Sequence, residues 1–250
     1  MEILTSMVLL KKMVDYLIAH IANHLLTLLR NRKNLDLTRE EFRTSNISFS
    51  QFGEDLLVLT YFPDSYKGFY VDVGAFHPFK LSNTMLLYKL GWQGLNIDCD
   101  QEKIDEFVKL RPRDKNVCAA LANCNKQMTL LRYPMSATNR LSVNSDDSEE
   151  NLSLCQETPI DSSTVVTKTL DQVLKEVNLA DKVIDFLDID VEGIELEVLE
   201  GLNFKQSSPK LISVEIMNSK KRELITEFLG NKGYVISSIV RHNFFFKRVG

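Results

Sequence analysis

Short apolar runs alternate with amphipathic segments along most of the chain, in the rhythm of strands followed by helices. Ser50 to Phe62 reads as a short amphipathic helix stopped by Pro63. Gly68 to Val73 (GFYVDV) is a compact β-rich run that ends at Gly74, as expected of a buried strand feeding a tight turn. Ser82 to Leu90 follows as a helix with Ser82 at its N-cap. Gly94 to Asp98 predicts a second strand, Gln101 to Leu110 a helix ended by Pro112, and Asn116 to Ala122 a third strand. The pattern fades from Leu131 to Thr167, where Asn144 to Glu150 is a polar surface loop by composition. Regularity returns with a helix from Thr169 to Val177, a strand from Val183 to Asp190 and a helix from Glu195 to Gly201. A strand from Lys210 to Ile216 and a helix from Lys220 to Leu229 come next, and β-rich runs at Tyr234–Val240 and Phe244–Arg248 close the chain. Strands alternating with helices predict an α/β fold built on a doubly wound, mostly parallel sheet. The short last connection predicts an antiparallel C-terminal hairpin at one edge. In such sheets ligands lie beyond the carboxyl ends of the strands, so the polar residues there are the candidates for chemistry.

The first 44 residues have a different pattern. Leu10, Val14, Leu17, Ile21, Leu25 and Leu28 recur at steps of three and four, the spacing of one helix face. Lys11, Lys12 and Asp15 interrupt the run too early for a membrane span, and no small-residue cleavage site comes after it to make it a secretory signal. The expectation is an amphipathic helix and linker over 1–44 and one domain over 45–250. The helix packs on the domain, pairs with a second copy in a homodimer, or lies on a membrane surface. An apolar fraction of 44% suits a chain that buries a real core, and a net charge of −4 with interspersed signs gives no field for nucleic acid. Cys99, Cys118, Cys124 and Cys155 lack metal-site or CxxC spacing and read as reduced thiols, which points to the cytoplasm, with membrane association through the helix as the variant.

Three strand ends carry the candidate chemistry. The first is Asp72-Val73-Gly74-Ala75, in which a glycine directly after a buried strand lets backbone approach a ligand. The second is Asp98, an acid at the end of the next strand, placed to accept from both ribose hydroxyls of a nucleoside. A turn glycine and a helix-capping acid would account for either feature alone. The glycines do not form GxGxxG, which disfavours a dinucleotide, and with it a nucleotide-sugar reductase, and leaves a smaller nucleoside cofactor. The third is Asp188-Ile189-Asp190-Val191-Glu192-Gly193, where alternate carboxylates point to one side of an extended chain. They grip a cationic cofactor and an acceptor hydroxyl, or hold a divalent metal through oxygen, or in part cap the following helix. Glu215, near the end of the fifth strand, points to the same edge, and His77, just past the first, is the nearest imidazole.

Taken together, these residues resemble the FkbM family of class I methyltransferases. The resemblance rests on SQFGEDLLVL from Ser50, the block from Phe69 to Asp98, KTLDQVL from Lys168, IDFLDIDVEGIELEVLEGL from Ile184 and PKLISVEI from Pro209. It implies a Rossmann-like, seven-stranded domain that binds S-adenosylmethionine and methylates a hydroxyl of a sugar, glycan or secondary metabolite. By match of motif, Asp72, Gly74 and Ala75 fall in the cofactor loop, Asp98 on the ribose acid and Asp190 near the methionine part. Asn83, within Ser82-Asn83-Thr84, falls beside the site. The order of candidates for the base is Asp190 or Glu192, then His77, then Glu215. No metal is assigned, a divalent ion at Asp190 and Glu192 being the alternative. Cys99-Asp100 after Asp98 departs from the family's style, and Met135 to Thr164, which matches poorly, is the stretch expected to shape the acceptor pocket. The rival of another class is a catalytically inactive binding module that keeps the fold.

Overall fold

The computed structural model describes residues 45–134, 138–142 and 158–249. The chain divides into two compact units, 1–47 and 48–250, and the strands and helices below all belong to the larger. The expected N-terminal helix and the polar run from Asn144 to Glu150 both lie outside the described residues.

The elements, numbered within the described residues, begin with α1 (Glu54–Leu59), β1 (Phe69–Val73), α2 (Met85–Lys89), β2 (Gln93–Asp98), α3 (Gln101–Leu110) and β3 (Lys115–Cys118). Next come β4 (Ala120–Leu121), β5 (Gln127–Arg132), β6 (Arg140–Ser142), β7 (Asp161–Lys168) and α4 (Leu170–Glu176). The chain ends with β8 (Phe186–Ile189), α5 (Glu195–Glu200), β9 (Leu211–Glu215), α6 (Ser219–Gly230), β10 (Tyr234–Val240) and β11 (Asn243–Arg248). The main sheet has seven strands in the order β10-β11-β9-β8-β1-β2-β3. Six run parallel and β11 alone runs against them, as it pairs antiparallel with both β9 and β10. The order reverses between β1 and β8, where a crevice opens at the carboxyl ends.

Several local outcomes differ from the pattern-based expectation, each for a physical reason. The predicted helix over Ser50–Phe62 shortens to α1, because Ser48, Phe49 and Ser50 wrap around the buried Asp55 carboxylate instead. Ser82 lies three residues ahead of α2, yet its Oγ accepts from the Met85 N–H at 3.1 Å and so still finishes that end of the helix. The predicted third strand breaks in two: β3 stays in the main sheet, whereas β4 pairs with β7 in a second sheet ordered β4-β7-β5-β6. Around α4 the capping box is complete, Thr169 and Gln172 each bonding the other's backbone N–H.

Both faces of the main sheet are buried, and the two faces differ. Val71, Val73, Leu95, Ile97, Leu187, Ile189, Ile212 and Val214 pack on one side with α4, α5 and α6. The other side is apolar only at its start, where Tyr70, Phe186, Leu211 and Phe245 meet α1, α2 and Trp92. Two residues on, the same face turns polar. Asn96, Asp72, Asp188 and Ser213 form one registered row across β2, β1, β8 and β9. This row is the floor of the site.

Candidate active site

Like charges directly opposite one another in a sheet oppose folding, yet Asp72 and Asp188 are direct neighbours in the register. The loop before α2 compensates them one by one. Thr84 Oγ1 donates to Asp72 Oδ2 at 2.5 Å, and Asn83 Nδ2 donates to Asp188 Oδ2 at 3.0 Å. Behind the loop stands Arg111, fully buried, which donates to Thr84 Oγ1 at 2.8 Å, to Ser82 Oγ at 2.7 Å and to the Pro78 carbonyl at 2.8 Å. The Ser82-Asn83-Thr84 triplet is therefore a polar clamp on the two strand-end acids.

The turn after β1 closes against two neighbours. Gly74 has φ +81°, and a Cβ there would collide with the Asp190 carbonyl. Gly74 and Ala75 both donate to Ile97 O, at 2.9 and 3.1 Å, which ties the turn to the end of β2. Asp98 Oδ2 accepts from the Phe76 N–H at 3.1 Å and faces Lys103 Nζ at 3.4 Å, while Oδ1 accepts from Asp100 N at 2.9 Å. Asp98 thus organises the turn and the start of α3, and keeps limited lone-pair capacity for a ligand.

Past β8 the chain carries Asp190 and Glu192 to the same mouth, and β9 brings Glu215. One oxygen of each of the three lies within 4.8 Å of the others. Glu192 adopts a left-handed φ of 56° to do so. Phe76 and Leu81 do likewise at φ 50° and 53°, and all three line the cavity. Such conformations cost about 1–2 kcal/mol each, and they gather where a site needs them.

One cavity at the carboxyl ends joins these parts. It is lined by Asp72, Gly74, Ala75, Asn83, Asp98, Asp190, Glu192 and Glu215 of the expected residues. His77 is not among the lining. Its Nδ1 accepts from the Phe79 and Lys80 N–H groups at 3.2 Å and its Nε2 faces Glu106 at 3.5 Å, so the imidazole braces its own loop. The lining includes residues that sequence reasoning passed over: Gln51, Glu54, Lys103, Arg140 and Asn243. Glu54 is buried, accepts from the Phe52 N–H at 2.7 Å and from Asn243 Nδ2 at 3.1 Å, and so links α1 to β11. Its signal was the GED at the head of α1, an acid pair beside an apolar face. Asn139, Arg140 and Leu141 bring the second sheet to the cavity wall.

Burial and mutual repulsion raise the acids' pKa values. Burial pushes Asp72 up to about 6, against the pull of Thr84 and Arg111. Asp188 goes well above the usual range through burial and the Asp72 charge. Asp190 does so through burial, then Glu215 and Glu192. Glu192 reaches about 7 through burial, then Glu215 and Glu195, with Arg140 and Lys103 opposing. A carboxyl raised on folding keeps in the native state a proton that the unfolded chain has lost. Its contribution is complete below the ordinary carboxylate pKa and is lost as pH rises through the folded value. For Asp72 and Glu192 that window runs from about 4 to about 6 and about 7. In ligand-free protein, Glu192→Gln is therefore expected to gain stability relative to the parent as pH rises from about 5 to about 8. Parallel thermal unfolding across that range checks it; a constant difference would remove Glu192 from the repelling set.

The fold and the site define a mostly parallel α/β domain with an acid-rich ligand cavity at its strand ends. The chain belongs to the methyltransferase FkbM domain family, whose profile matches residues 72–236, well over half of its length. Among solved structures it is similar to a methyltransferase FkbM from Methylobacillus flagellatus KT, with 14% identity, 82% of this chain and 46% of that one covered, and a TM-score of 0.46. The chain thus spans less than half the length of that protein. It is also similar to a precorrin-6y C5,15-methyltransferase from Geobacter metallireducens GS-15, with 11% identity, 85% and 96% coverage and a TM-score of 0.42. Curated proteins give no match. No helix of the described residues is long and apolar enough to cross a membrane.

Proposed function

We propose that this methyltransferase domain uses S-adenosylmethionine to methylate a hydroxyl of a sugar, glycan or similar small molecule. The observation that carries the proposal is the convergence of Gly74, Asp98 and Asp190 on one cavity where the strand order reverses. The strand order, with one reversed strand inside the edge, supports a Rossmann-like nucleoside site. The residues fit the cofactor: Gly74 lets the turn close directly on the Asp190 backbone and so shapes the cavity between β1 and β8, and the lining acids match a ligand with two positive centres. Asp98 would hold the ribose hydroxyls, the Gly74–Ala75 turn would hold the amino-acid part, and Asp72 and Asp190 would supply negative charge for the cationic groups.

When bound, the cofactor supplies an electrophilic methyl on a cationic sulfur. The chain aligns the acceptor oxygen and removes its proton. Asp190 and Glu192 are the bases at the mouth of the cavity. Glu192 suits the task best, because a group titrating at about 7 balances availability against proton affinity near neutral pH. Glu215 lies within 4.8 Å of both and keeps their proton affinity high.

Calorimetry on the full chain tests the reading. S-adenosylmethionine and S-adenosylhomocysteine are both expected to bind. Asp98→Ala is expected to weaken binding by about 1–3 kcal/mol, or roughly 5- to 150-fold, the scale of a lost charged hydrogen bond. Absence of heat with either compound, on protein shown to be folded, would sink the proposal. Unchanged affinity in the variant would remove Asp98 from the cofactor contacts.

A further inference from the structure

Asp190, Glu192 and Glu215 form a larger cluster than proton abstraction needs, since one base is enough for it. Their oxygens lie within 4.8 Å of one another, and they come from the end of β8, the left-handed step after it and the end of β9. Three carboxylates so close cost solvation and repulsion energy unless something positive meets them.

A second observation lies one row deeper. Asp188 and Ser213 face each other across β8 and β9. Among the described residues, Asp188 Oδ1 and Ser213 Oγ are both buried without a hydrogen-bond partner, and Asp188 lines the same cavity. Ser213 Oγ sits near enough to favour the ionised Asp188 but makes no bond of normal geometry. Alternate residues of a strand share a face, so this unsatisfied pair lies directly behind Asp190 and Glu215. Buried polar atoms without partners are rare, and an ion or water commonly answers them.

We infer that Asp190, Glu192 and Glu215 bind one divalent hard cation of the magnesium or manganese class. The ligand set is all oxygen, which selects that class over zinc or copper. An octahedral ion with ligands at about 2.1 Å separates them by roughly 3–4 Å, so side-chain shifts of about 1 Å close the site. The ion keeps several waters, and these would answer Asp188 Oδ1, the partnerless atom whose residue lines the cavity. What the ion does rests on the methyltransferase reading: it holds the acceptor oxygen and makes its hydroxyl more acidic. Bound to the ion, Glu192 is held ionised and is a weaker base than in the metal-free site, and the ion's acidifying effect on the hydroxyl offsets that loss. The third carboxylate, Glu215, is what turns the alternative pair of Asp190 and Glu192 into a site.

Manganese(II) alone is the probe, titrated into chelator-stripped full chain and monitored by the paramagnetic resonance of the free ion. The expected result is one bound ion per chain, displaced by excess magnesium. Binding is expected to fall tenfold or more in Glu192→Gln and in Glu215→Gln. Without metal, both variants should melt at or above the parent temperature, because each loses a repelling charge; this separates site loss from misfolding. No binding by the parent, or equal binding by the parent and both variants, overturns the site. S-adenosylhomocysteine binding is measured on the same samples. Cofactor binding without manganese defeats only the metal; manganese binding without cofactor upholds the metal and defeats the methyltransferase reading.

Discussion

Gly74→Ala is expected to destabilise the domain by about 2–5 kcal/mol, the sum of a left-handed backbone penalty and an overpacking strain. The glycine holds φ +81°, and its missing Cβ would occupy the space of the Asp190 carbonyl. That carbonyl is backbone and cannot swing away. It is also fixed, because the Asp190 N–H donates to Val73 O at 2.9 Å as the continuation of the β1–β8 ladder. Relief can come only by parting the ends of β1 and β8, which moves Asp190 away from Asp72 and opens the floor of the cavity. Urea unfolding gives the stability loss, and calorimetry on whatever remains folded should show cofactor affinity reduced beyond detection. An alanine variant with parental stability and affinity would mean that the contact is slack and that the turn does not shape the site.

Much of the main sheet was legible because its inner strands are buried on both sides. Such strands read as dense apolar runs, and β1, β2, β8 and β9 were found within three residues at each end. The second sheet was not legible. Alternate residues of β7 are exposed along most of its length, β6 has three residues, and β5 reaches its partner only across a long interval. Nothing local in such segments distinguishes a strand from a polar loop. The hairpin was read correctly as antiparallel and at one edge, but which of its strands lies inside was left open: the last strand, β11, sits between β9 and β10. The sign was there in Phe244-Phe245-Phe246. Consecutive buried aromatics need packing on both faces, which only an internal strand offers, whereas β10 is largely exposed.

The site divides along similar lines. Asp72, Asp98, Asp190 and Glu215 were legible because a parallel sheet sends every strand end to one edge, so an acid closing an apolar run has one place to go. Asn83 came from resemblance alone, and its bond to Asp188 now supplies the reason. His77 was placed by proximity in sequence, but the left-handed step at Phe76 turns the chain so that the ring falls outside the cavity lining. Glu54 and Asn243 meet across 189 positions. No spacing rule reaches that far.

Arg111 was the deepest omission, and its replacement carries the second large expectation. It comes directly after α3 and precedes Pro112, a place where sequence predicts a solvated helix end. Instead its guanidinium is fully buried over the Phe107 ring, 5.0 Å from the centroid, with donors to Pro78, Ser82, Thr84 and Asn96. Arg111→Met fills similar volume but strands several acceptors and removes the positive charge that holds Asp72 down. The expected cost is about 3–5 kcal/mol, the scale of a buried charge left without its partner. Lysine should recover only part of it, since one ammonium cannot copy a planar fork. The variant also has a pH signature. Asp72 titrates at about 6 with Arg111 beside it, and without that charge its pKa rises. The deficit relative to the parent should therefore be smallest at pH about 5, where Asp72 is already largely protonated, and should widen toward pH about 8 as ionisation is demanded of it. Urea midpoints for parent and variant at the two pH values check this. A deficit that stays level would show that Arg111 acts through packing and its neutral acceptors, with no bearing on the charge of the acid beneath the Gly74 turn.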